Sequence, residues 1–160
     1  MRTMAVNLAE RKTTRDGDVS LVAMGLGSCL AVVMYDSLSQ VAGMNHAVLP
    51  HAPVSTLDHS PKYVDSGIRG LYEEMTRLGA RTSTLKVWLV GGADLFLTSE
   101  KLASFNIGSR NIAAARESIE VLGLVVKGQD VGGHVGRTIR LLVGSGRVFV
   151  HLVGEKEREL

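Results

Sequence analysis

One cysteine and three prolines among 160 residues exclude a good deal before anything is read into what the chain contains. A lone cysteine, Cys29, cannot build an internal disulfide framework, and a free thiol fits a reducing compartment. No C-x-x-C or H-x-x-x-H pair occurs, so a zinc set drawn from Cys29, His46, His51 and His59 lacks the tight ligand spacing of metal sites. No apolar run approaches the roughly 20 residues a membrane helix needs. The opening run Met1-Arg2-Thr3-Met4-Ala5-Val6-Asn7 has no apolar core of the signal-peptide kind. A net charge of +2 with the signs interspersed offers no basic face for nucleic acid; Arg137, Arg140 and Arg147 read as a solvated strand face. Gly91-Gly92 lacks the spacing and the following Lys-Ser/Thr of a phosphate loop. A cytoplasmic protein with no metal, no cofactor, no nucleic-acid partner and no membrane insertion is expected.

No repeat, linker or low-complexity block divides the chain, and 45% apolar with 21% charged residues suits one globular domain over 1–160. Val19–Met24 and Leu30–Tyr35 read as strands joined by a Gly-Ser-Cys turn. A polar turn at Asp36–Gln40 returns the chain as a third strand, Val41–Leu49. Ser60 as N-cap and Pro61 as first helical residue predict a helix with Val64, Ile68, Leu71, Met75 and Leu78 inward, stopped by Gly79. A second helix is predicted from Ser109 to Leu122, closed by Gly123. Leu85–Val90, Leu124–Lys127, Thr138–Val143 and Val148–Val153 read as strands, the last two joined through Gly144-Ser145-Gly146. The charged end Glu155–Glu159 reads as a solvated, fraying tail. The grouping gives an α+β fold: packed mixed sheets with two main helices on the outside.

The chemistry concentrates at Gly25-Leu26-Gly27-Ser28-Cys29 and Gly43-Met44-Asn45-His46. A thiolate is the reactive form of cysteine, and a nearby imidazole is a common way to obtain it. The hairpin through Asp36 brings the His46 region back toward Cys29. Gly27, Ser28 and Cys29 can turn backbone N–H groups toward an oxyanion. A buried, inert cysteine is the plainer alternative. His51, His59 and His134 read as loop residues and His151 as an exposed strand residue. Turn and capping roles account for Asp94, Asn106, Arg110 and Asn111.

These residues carry a resemblance. Gly25–Cys29, Met34-Tyr35-Asp36 and Gly43–Pro50 resemble the signature of the CheD family, the bacterial chemoreceptor glutamine deamidases. The likeness continues through Lys62–Asp65, Gly91–Phe96, Asn106–Asn111 and Asp130–Gly133. It implies a cysteine-hydrolase-like sandwich with Cys29 as nucleophile and His46 as base. It also implies hydrolysis of glutamine side chains on methyl-accepting chemoreceptors, through a thioester, to glutamate. A second implied role is docking of a CheC-type phosphatase, the leading activity if catalysis is weakened. One departure bears on that: the family places Thr where this chain has Ala23. A hydroxyl there would help orient the imidazole, and restoring it would be expected to raise turnover. Ser20, Ser28, Asn45 and a backbone carbonyl are the other candidates for that task, left open by the sequence.

Overall fold

The computed structural model describes residues 1–54, 59–95 and 106–160. Its strands are β1 Arg2–Ala5, β2 Glu10–Thr14, β3 Val19–Leu26, β4 Leu30–Asp36, β5 Val41–Ala47, β6 Leu85–Gly91, β7 Val125–Val131, β8 Arg137–Leu142, β9 Arg147–Leu152 and β10 Arg158–Glu159. Helix α1 spans Val64–Arg77 and α2 spans Ile107–Val121. They build two mixed five-stranded sheets, ordered β1-β3-β8-β9-β10 and β2-β5-β4-β6-β7. β1 runs parallel to β3 and β6 parallel to β7.

Period-two alternation sorts β4 between two cores. Ala31, Val33 and Tyr35 meet Leu21, Ala23, Ile139 and Leu141 in the layer between the sheets. Leu30, Val32 and Met34 meet Val64, Ile68, Leu71 and Met75 of α1 and Ala115 and Ile119 of α2 on the other face. β4 is therefore apolar throughout, as a strand covered on both faces must be. The predicted α+β sandwich with helices outside is the fold observed, both helices lying on one face of the second sheet.

Local signals misled at four places. Helix α1 begins at Val64, not Pro61, with Tyr63 as an N-cap that makes no side-chain cap bond. The chain before it is drawn extended because Lys62 O accepts from the N–H groups of Val48 and Leu49, and Tyr63 bridges Leu49. Leu78, expected inward, caps the helix end and is exposed. Arg137 does not lie on a solvated face: its side chain is 4% exposed and its Nε donates to Asp130 at 2.8 Å. The acidic–basic tail does not fray. β10 pairs with β9, Leu160 N–H donates to Val148 O, and Glu157, Arg158 and Glu159 pair with Arg140, Asp130 and Arg147.

The N-terminal β1 and β2 carry no strong sequence signal and were not expected as strands. They lie at the edges of different sheets, so Val6–Ala9 crosses from one to the other. Val6 N–H donates to Val22 O on the first sheet, and Ala9 N–H to His46 O on the second.

Candidate functional site

The β4–β5 hairpin pairs Leu30 with Ala47 and Ala31 with His46. Cys29 stands one residue before that ladder starts, so the thiol-bearing turn and the imidazole share one end of it. Alternation turns His46 to the same face as Ala42 and Met44, into the layer between the sheets. Cys29 is 8% exposed and His46 2%.

The turn before Cys29 is held by main chain. Gly27 O accepts from Ala93 N–H at 2.8 Å, and Cys29 O accepts from Gly92 N–H at 2.9 Å. That approach requires glycine at position 91, where φ is +120° and a Cβ would stand 2.2 Å from Cys29 O. Leu95 closes over Gly27, its Cδ1 lying 2.7 Å from where a Cβ would be. His134 lies beside this loop, its Nδ1 2.8 Å from Asp94 O, and is exposed. Phe96, the last residue of the Gly91–Phe96 segment, lies outside the described residues.

His46 Nδ1 lies 3.0 Å from the carbonyl oxygen of Val6. A carbonyl only accepts, so the neutral ring carries its proton on Nδ1 and leaves the lone pair on Nε2. That Nε2 is buried and has no hydrogen-bond partner among the described residues. Burial pushes the imidazole below its ordinary range, only partly offset by the Val6 carbonyl and the charge of Glu10, its cross-strand neighbour. Burial likewise pushes the Cys29 thiol up, against a smaller opposite pull from its own backbone N–H. Both groups are therefore neutral at rest.

The side-chain candidates for orienting the base lie elsewhere. Asn45 faces the helix layer, its Nδ2 donating to Pro61 O and its Oδ1 accepting from Arg11. Ser20 Oγ lies 3.4 Å from Thr3 Oγ1. Ser28 contributes a carbonyl to the site region, bound by Asn111. Ala23 is fully buried in the layer between the sheets.

Two contributors escaped the sequence. The Val6 carbonyl leaves no mark in the sequence, since any residue supplies one. Asn111 neither turns nor caps: it is fully buried on α2, and its Nδ2 donates to Ser28 O at 2.8 Å and Val48 O at 3.1 Å. Its signal was present, since it falls with Gly108, Ile112, Ala115 and Ile119 on the buried face of α2. Asn106, by contrast, is the cap, accepting from Ser109 N–H.

Two further histidines have acidic partners, and His151 is exposed on β9. His51 pairs with Asp65 and His59 with Glu73. Among the described residues no group of three or more His, Cys, Asp or Glu is placed to hold a metal ion, and no helix is long and apolar enough to cross a membrane.

Comparison with known proteins bears on the family and the fold. The family model for CheD, chemotactic sensory transduction, matches residues 48–152, a stretch that starts beyond Cys29 and His46. A "Probable chemoreceptor glutamine deamidase CheD" from Caldanaerobacter subterraneus is 36% identical over 154 residues, covering 96% of this chain and 94% of that protein. One of the same name from Clostridium botulinum strain Hall is 32% identical, covering 100% and 99%. The crystal structure of Neisseria meningitidis protein NMB0706, of family model DUF152, superposes with a TM-score of 0.51 at 12% identity. That match covers 83% of this chain and 63% of the other, and speaks to the fold alone.

Proposed function

The chain belongs to the CheD family, and from that premise we propose that it deamidates glutamine side chains of a chemoreceptor, with Cys29 as nucleophile and His46 as general base. The observation that supports this most is the Nδ1–Val6 carbonyl bond, which leaves Nε2 unprotonated and free to accept. In the proposed reaction His46 Nε2 takes the thiol proton as Sγ attacks the amide carbon. The carbonyl electrons move onto oxygen, where the N–H of Cys29 and those of the Gly27–Ser28 turn receive the negative charge. Collapse breaks the C–N bond. His46 returns its proton to the leaving nitrogen, so ammonia departs and a thioester remains. Water then adds to the thioester, giving its proton to His46, and the C–S bond breaks to release glutamate and restore the thiol.

Because burial holds both groups neutral, proton transfer accompanies attack and no thiolate–imidazolium pair need stand ready. The substrate segment is the receptor's cytoplasmic region, so the enzyme would work in the cytoplasm. The alternative of a weakened enzyme that serves mainly to dock a CheC-type phosphatase had Ala23 as its motive, and an imidazole oriented by Val6 weakens that motive.

The test is ammonia release from purified receptor cytoplasmic fragments, with the modified glutamines located by mass spectrometry. Wild type should convert specific Gln to Glu, while Cys29→Ala and His46→Ala lose turnover. Equal release by Cys29→Ala would overturn the assignment.

A further inference from the structure

We propose that Asn111 is a positioning residue for the oxyanion-binding N–H of Cys29; this rests on the reading of Cys29 as nucleophile. Asn111 lies 83 positions from Ser28 in sequence, yet donates to its carbonyl at 2.8 Å. A trans peptide holds its C=O and N–H on opposite sides. Drawing Ser28 O toward α2 therefore sends the N–H of the same peptide, that of Cys29, away from the helix. That N–H belongs to the residue that carries the sulfur, so it stands close to any tetrahedral carbon formed on Sγ. Among the described residues no backbone carbonyl competes for that N–H.

The second bond of the carboxamide extends the role. Val48 lies two residues beyond His46, and its carbonyl accepts from the same Nδ2 at 3.1 Å. One planar amide thus ties the turn of the nucleophile to the end of the strand that carries the base. The helix that presents it is seated tightly: a Cβ on Gly108 would come 2.5 Å from Gly92 O and 2.6 Å from Ala93 O, within the loop that binds Gly27 and Cys29.

The cost of keeping an asparagine here argues for its use. Its Oδ1 is buried with no partner among the described residues, a penalty an apolar side chain in the same space would not carry. Departures of this kind from full polar satisfaction concentrate at functional sites.

The experiment uses the full chain as wild type, Asn111→Ala and Asn111→Leu, each first shown folded by thermal melt. Asn111→Leu keeps the approximate volume and adds no charge but loses the N–H donors, and carries the test if Asn111→Ala does not fold. Two quantities are then read: kcat and KM for receptor fragments, and the pH dependence of Cys29 alkylation by iodoacetamide, which needs no receptor. Loss of one oriented oxyanion donor should lower kcat about a hundredfold. KM should stay within about threefold, since the interaction is made in the transition state. The alkylation midpoint should move to higher pH, because the thiolate loses its N–H donor. Unchanged kcat in a folded variant would overturn the proposal, and so would a fall in kcat with an unmoved midpoint. Activity retained by Cys29→Ala would instead defeat the reading of the nucleophile, so the two failures are distinguishable.

Discussion

At position 23 a buried methyl group stands where relatives of this family are expected to carry a hydroxyl, and the imidazole is nevertheless held. The Val6 carbonyl does this from main chain, so a hydroxyl at position 23 has little left to contribute. Ala23→Thr should change turnover by less than about tenfold, or about 1.4 kcal/mol of barrier. It should also cost about 1–3 kcal/mol through overpacking. A thermal melt beside an ammonia-release assay checks both, and a hundredfold rise would show that the carbonyl does not suffice. Cys29 and His46 were legible because their signals are local: a unique thiol in a glycine-rich turn, and a histidine returned to it by a short hairpin. Val6 and Asn111 were not, for two different reasons. A carbonyl has no letter of its own, and the Asn111 clamp spans a distance that no periodicity encodes.

Among the elements, the C-terminal strand shows why charge-rich ends are hard to read. Glu155–Glu159 has the composition of a solvated tail, and only the fold reveals that its partners stand in place. Asp130 on β7 accepts from Arg137 on β8 and pairs with Arg158 on β10, joining the two sheets across one edge. With Arg137 4% and Asp130 11% exposed, removing one partner leaves a buried charge uncompensated. Asp130→Ala should therefore lose about 3–5 kcal/mol in a denaturant titration. A joint change, Asp130→Leu with Arg137→Met, should recover much of that loss, since the charge left unpaired, on Arg158, is half-exposed. The start of α1 failed in the opposite way: Ser60-Pro61 is a sound local signal, overridden by the bridge of Tyr63 to Leu49. The central strands and the body of both helices were legible because each buries an apolar face at its own period.

For the molecule as a whole, burying the His46 imidazole between two sheets makes stability depend on pH. Burial lowers the folded pKa of His46, so the unfolded chain binds the proton first on acidification. The sign follows: this contribution is complete above the ordinary imidazole value of 6.5 and is lost as pH falls from there through the lowered folded value. Asp36 acts in a separate window. Its burial is outweighed by hydrogen bonds from Arg81 N–H, Thr84, Ser39 and Leu38 N–H, so its contribution is lost only below 3.8. Denaturant midpoints measured from pH 7 downward should show the upper step and the onset of the lower one below 3.8, and His46→Gln should remove the upper one alone. A wild-type midpoint flat between pH 6.5 and 4 would contradict the burial of a neutral imidazole.

The crossing at Val6–Ala9 has a consequence for how such an enzyme drifts over generations. An imidazole oriented by a carbonyl depends on the path of the backbone, so an apolar replacement that fills the core space of Val6 leaves the orienting group in place. On the reading proposed above, a comprehensive mutational scan would register Cys29, His46 and Asn111 and miss the carbonyl of Val6. The group that holds the imidazole is inherited with the path of the chain rather than with any one codon.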